Sequence, residues 1–101
     1  MGISTHVLDT AKGHPAAGIA ITLENDRGVL ARGVTNADGR LKLIDEAPEA
    51  GTYRITFDTG GYDPHGFFPR VVIEFSVREG AQNYHVPLLL SPFGYSTYRG
   101  S

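Results

Sequence analysis

The sequence predicts an all-β fold, a two-sheet β-sandwich of about eight strands, and three observations carry that expectation. Apolar and β-branched residues come in short runs that mostly alternate with polar ones. Turn-forming residues separate the runs, with 13 glycines and 6 prolines among 101 residues. Helical patterning has little support anywhere.

Taken in order, Ile3 to Leu8 is a first β-branched strand, closed by the turn formers Asp9 to Pro15. Ile19 to Glu24 is the second, ended by Asn25-Asp26-Arg27-Gly28, and Val29 to Thr35 the third. Asn36-Ala37-Asp38-Gly39 is a strong turn signal, because Asp-Gly tolerates the positive φ of tight hairpins. Leu41 to Ile44 is a short fourth strand. The fifth, Thr52 to Asp58, puts Tyr53, Ile55 and Phe57 on one face and Arg54, Thr56 and Asp58 on the other. Val71 to Val77, Tyr84 to Leu90 and Tyr95 to Arg99 complete the eight. The stretch 59–66 reads as loop, since its glycines and proline oppose a long helix.

Two strands depart from the pattern of one apolar and one polar face. Val71-Val72-Ile73 and Val86-Pro87-Leu88-Leu89-Leu90 are apolar on both faces. No helices are predicted that could cover a second face, so another subunit is the expected cover. The chain has room for one core, and residues 1–101 read as a single domain. Hydrophobic residues make up 41% and charged residues 20%, which excludes a disordered composition. A formal net charge of −2 provides no basic footprint for nucleic acid or an anionic membrane. No apolar run approaches the roughly 18 residues of a membrane-spanning helix. With no cysteine, disulfide and thiol chemistry are excluded. No basic and apolar leader is evident before Ser4, and a cytoplasmic location is the expectation.

The histidines are His6, His14, His65 and His85. None has the short helical spacing of a zinc motif and no cysteine could complete a tetrahedral site, so neither metal nor other cofactor is expected. His14 and His65 sit in Gly/Pro loops and read as solvated. His6 and His85 lie mid-strand. If Thr5, Val7, Tyr84 and Val86 point inward, alternation turns both histidines outward, beside Leu8 and Leu89. An imidazole on an otherwise apolar outer face is a candidate for a dry site between subunits.

The segment Tyr98-Arg99-Gly100-Ser101 packs a phenol, a planar guanidinium, a permissive glycine and a hydroxyl into four residues. The run from Asn83 to Ser101 resembles the C-terminal signature of the 5-hydroxyisourate hydrolases, the transthyretin-related enzymes of urate breakdown, whose chains end in Tyr-Arg-Gly-Ser. Ser4-Thr5-His6-Val7-Leu8-Asp9-Thr10 with Gly13-His14-Pro15-Ala16, Thr35 to Arg40, and Gly66-Phe67-Phe68-Pro69 match the family in the same order and span nearly the whole length. Transthyretin itself shares the architecture without this ending. The resemblance implies a transthyretin-like sandwich with one short helix directly after the fifth strand. It also implies a homotetramer, a dimer of dimers with active sites between subunits. By motif it carries His6, Arg40, His85 and Ser101 over as catalytic residues, and Tyr98, Arg99 and Gly100 as substrate-binding ones. A turn arginine such as Arg40 is ordinarily solvated, and only the resemblance assigns it a role. Several family members have histidine where this chain has Asn83, which places the weight on His85.

The implied reaction opens the six-membered ring of 5-hydroxyisourate, a planar, heteroatom-rich purine derivative, to 2-oxo-4-hydroxy-4-carboxy-5-ureidoimidazoline. That hydrolysis needs a base to deprotonate water, a donor for the developing oxyanion, and groups that orient the ring. Histidine suits the first task and arginine the other two. No serine sits in a Gly-x-Ser-x-Gly elbow, so direct water attack is expected. Which histidine takes the proton is open at this level. Two other readings compete: a transthyretin-like carrier of a small aromatic ligand, and a structural module without chemistry.

Overall fold

The computed structural model describes residues 2–78 and 82–100. Among them run β1 (Gly2–Asp9), β2 (His14–Pro15), β3 (Ala20–Asn25), β4 (Gly28–Val34), β5 (Arg40–Ile44) and β6 (Gly51–Phe57). The helical turn α1 (Thr59–Tyr62), β7 (Val71–Val77), β8 (Asn83–Ser91) and β9 (Gly94–Thr97) follow. One sheet has the order β2-β1-β8-β9, with β5 also paired to β1, and the other the order β4-β3-β6-β7. The fold is an all-β sandwich. Alternation along each strand sends one set of side chains between the sheets. Ile3, Val7, Val86 and Leu88 meet Ile21, Leu23, Ile55 and Phe57 there, all buried. Each such side chain is worth roughly 1.5–3 kcal/mol relative to exposure.

At the centre of the first sheet β1 and β8 run parallel, with Ser4 opposite His85, Thr5 opposite Val86 and His6 opposite Pro87. Thr5 and Val7 on β1, and Tyr84 and Val86 on β8, are buried as alternation requires. Their neighbours Ser4, His6 and His85 therefore point to the outer face. β8 binds the free edge of β1, while β2 and β5 share its other edge, β2 at Leu8–Asp9 and β5 at Ile3–His6.

Four details differ from the expected strand list. A two-residue strand, β2, lies where a continuous turn was predicted, and its Pro15 is tolerated because it sits at a sheet edge. The Asn36–Gly39 turn is tight, but it is a corner rather than a hairpin. It carries the chain from β4 in one sheet to β5 in the other. The Asn36 carboxamide oxygen accepts from the backbone N–H groups of Asp38 and Arg40. Gly39 has φ +74, and a Cβ there would stand 2.3 Å from the Val7 carbonyl oxygen. The last strand stops at Thr97 rather than reaching Arg99. Finally, Pro87 is buried within the chain itself, whereas Val72 remains 49% exposed.

The short helix falls directly after β6, at Thr59–Tyr62, capped by the Asp58 carboxylate, which accepts from the Gly61 N–H. The family resemblance implies this turn of helix, whereas residue propensities alone read as loop.

Candidate active site

The outer faces of the two sheets differ in chemistry. On the second sheet Arg54 neighbours Glu24, Asp26 and Glu74 in an ordinary surface ion-pair group. On the first sheet the face around β1, β5 and β8 gathers His6, Arg40, Lys42, Ser4 and His85. His6 is the direct partner of Arg40 across the β1–β5 ladder, and Ser4 the partner of Lys42. An open groove of about 380 Å³ runs here, lined in part by Ser4, Arg40, Lys42, Asn83 and His85.

Each imidazole is held. The Nε2 of His6 lies 2.9 Å from the carbonyl oxygen of Asp38. A carbonyl only accepts, so this nitrogen donates, and it ties the Asn36–Gly39 corner to β1 next to Arg40. His85 is fixed through its other nitrogen, with Nδ1 2.9 Å from Ser4 Oγ. Burial holds the His85 pKa below the usual histidine value, and the positive charges of Arg40 and His6 add to this. His85 is therefore neutral at neutral pH, the state a base requires.

The C-terminal tetrapeptide divides between two places. Gly100 returns to β8, its N–H donating to the His85 carbonyl at 2.8 Å in an isolated antiparallel bridge. Alternation then turns Arg99 the other way. Its guanidinium lies 4.5 Å over the Tyr84 ring and donates to Gln82 Oε1 at 2.7 Å and to the Asn83 carbonyl at 3.2 Å. Tyr98, 57% exposed, flanks Arg99 in a slot between β7 and β9 rather than in the His85 groove. Ser101 lies outside the described residues. His14 and His65 are exposed as expected, although His14 lies on the short edge strand β2 rather than in a loop. Ser4 and Lys42 had no role in the sequence analysis. For Ser4 the signal was present, because a residue two before His6 on a strand shares its face.

Glycine at position 100 has a steric cause. A Cβ there would stand 2.5 Å from His85 Cδ2 and 3.2 Å from Cγ. Gly100→Ala is expected to displace the His85 ring and lower turnover by roughly 10²-fold, the scale of an ångström misplacement. Its thermal melt should match the parent's. An unimpaired Gly100→Ala enzyme would show that the ring does not depend on this packing.

Residues 3–100 match the family model described as the HIUase/Transthyretin family. The chain belongs to this family. Among its relatives, the 5-hydroxyisourate hydrolase 2 of Rhizobium meliloti (strain 1021) is 47% identical over 115 residues, covering 98% of this chain and 95% of that one. The chain spans only 37% of the longer Arabidopsis thaliana uric acid degradation bifunctional protein TTL, to which it is 44% identical. Klebsiella pneumoniae 5-hydroxyisourate hydrolase superposes with a TM-score of 0.91 at 37% identity over the whole of both chains. Sea bream transthyretin in complex with thyroxine superposes with a TM-score of 0.90 at 34% identity, covering 99% of this chain and 95% of that one. The HIUase/Transthyretin fold thus fits the hydrolase and the thyroxine-binding protein almost equally, and discrimination rests on site residues.

Proposed function

We propose that this chain is a hydrolase that opens the ring of 5-hydroxyisourate by direct attack of water. The observation that carries the reading is the meeting of His85 and Arg40 on one groove, with His6 beside it as the ladder partner of Arg40, in a family whose relatives include 5-hydroxyisourate hydrolases. Neutral His85 accepts a proton from water as the water oxygen bonds to the ring carbonyl carbon. Arg40 presents paired N–H donors to a planar heteroatom-rich ring and to the oxyanion formed on that carbon. Collapse of the tetrahedral species breaks the C–N bond, and the leaving nitrogen recovers a proton. His6, through Asp38, holds the corner that carries Arg40. Generating 5-hydroxyisourate from urate in situ and following its loss spectroscopically tests the assignment. Decay no faster with catalytic amounts of protein than without it would overturn it. A ligand-binding titration would then examine the carrier alternative. The polar groups of Ser4, Arg40, Lys42, Asn83 and His85 on the groove suit a small heteroatom-rich ring better than a bulky apolar hormone.

The proposal extends to assembly as a homotetramer, a dimer of dimers. The groove is open in the single chain, half-buried Leu8 and Leu89 flank the site face, and Val72 is exposed on β7. A second copy over this face would exclude water and strengthen the electrostatics within. Sedimentation is expected to show a species near four times the 10.9 kDa chain mass. Specific activity should fall on dilution below the assembly's dissociation constant. A fully active monomer would contradict both the cover and the shared site.

A further inference from the structure

His85 is enclosed on two edges of its ring. Gly100 packs against the Cδ2 edge so closely that no Cβ fits there. Ser4 Oγ meets the Nδ1 edge at 2.9 Å. The edge left open is the one carrying Nε2, which has no hydrogen-bond partner among the described residues. Since His85 lines the groove, Nε2 is the nitrogen left to serve the reaction. A neutral imidazole has one protonated and one basic nitrogen, so whatever holds the proton at Nδ1 makes Nε2 basic.

We propose that Ser4 is a positioning residue that holds His85 as the Nδ1–H tautomer and so directs the Nε2 lone pair into the groove. Ser4 is placed for this by register alone, directly opposite His85 across the parallel β1–β8 ladder and on the same outer face. Its hydroxyl accepts from Nδ1–H. The Ser4 backbone also favours the protonated ring, and Ser4→Ala leaves that contribution in place, so the variant isolates the hydroxyl. The other charged or titratable groups facing the ring are His6 on β1 and Arg40 and Lys42 on β5. Arg40 and Lys42 have no acceptor atom, and no hydrogen bond joins His6, tied to the Asp38 carbonyl, to the His85 ring. The segment beyond β9 presents the backbone of Gly100 there. The inference rests on the hydrolase reading for its catalytic meaning, but the tautomer itself does not depend on it.

The test compares the parent with Ser4→Ala and Ser4→Thr, each labelled with ¹⁵N-histidine. In the parent at neutral pH, His85 is expected to show a protonated Nδ1 and an unprotonated Nε2. In Ser4→Ala a mixture including Nε2–H should appear, and the His85 pKa should fall further, because an acceptor that favours imidazolium is gone. Turnover should drop roughly 10- to 100-fold in kcat with KM little changed, the scale on which misplaced catalytic groups act. The acid limb of the rate profile should move to lower pH. Ser4→Thr retains the hydroxyl and should restore both the tautomer and the rate. An Nε2–H tautomer in the parent, or a Ser4→Ala spectrum identical to the parent's, would overturn the proposal, even if Ser4→Ala lost activity. The NMR readout needs no substrate, so a protein inactive on 5-hydroxyisourate with the expected tautomers would refute the hydrolase reading and leave the role of Ser4 intact.

Discussion

His85→Ala is expected to lose roughly 10²- to 10⁴-fold in kcat, the usual contribution of a general base, while keeping its fold and assembly. The fold should survive because His85 faces outward from β8 and is only half-buried, so its removal opens no core cavity. His14→Ala and His65→Ala, both at exposed positions, are expected to remain near the parent rate. The pH profile supplies an independent check. The base must be unprotonated, and burial with the Arg40 and His6 charges depresses the His85 pKa below the ordinary histidine value of 6.5. The acid limb of kcat/KM should therefore lie below pH 6.5, with activity lost as pH falls through the depressed pKa and retained above it. A rate that survives His85→Ala would remove the base from the scheme. A large drop in melting temperature would assign His85 a structural role instead.

The second large effect is expected at Arg40. It is exposed on the first residue of β5, so neither Arg40→Ala nor Arg40→Lys should destabilise the sandwich by much. If the guanidinium grips the substrate ring and its oxyanion bidentately, both variants should lose roughly 10²- to 10³-fold in turnover, since an ammonium cannot reproduce two parallel N–H donors. Arg40→Ala carries a second signature. Removing one of the charges that depress the His85 pKa should move the acid limb of the residual activity upward, towards the ordinary histidine value. Parent-like turnover in Arg40→Lys would reduce Arg40 to a point charge at a corner.

His6 illustrates how a motif residue acquires a physical role only in three dimensions. Its outward direction follows from alternation with Thr5 and Val7, both buried. Its bond to the Asp38 carbonyl does not follow, because that partner lies 32 positions away at a corner between sheets. The same holds for Ser4 and His85, which are 81 positions apart and meet only because β1 and β8 run side by side in parallel. Arg99 marks the opposite limit. It belongs to the motif as firmly as Gly100, yet its guanidinium lies over Tyr84 while Gly100 packs against the His85 ring.

Eight of the nine strands, the inward and outward sets, the turn at Asn36–Gly39 and the family are legible in the sequence alone. Each of these depends on local chemistry: a period of two, the φ freedom of glycine, the side-chain oxygen of asparagine, or a contiguous motif. Packing in three dimensions sets the rest: the turn joins two sheets, His6 and Arg40 become ladder partners, and His85 keeps its Nε2 edge open. Those outcomes depend on pairing between distant strands. Alternation says which face a side chain takes, but the register that sets its neighbour is chosen by the packing of the whole sandwich.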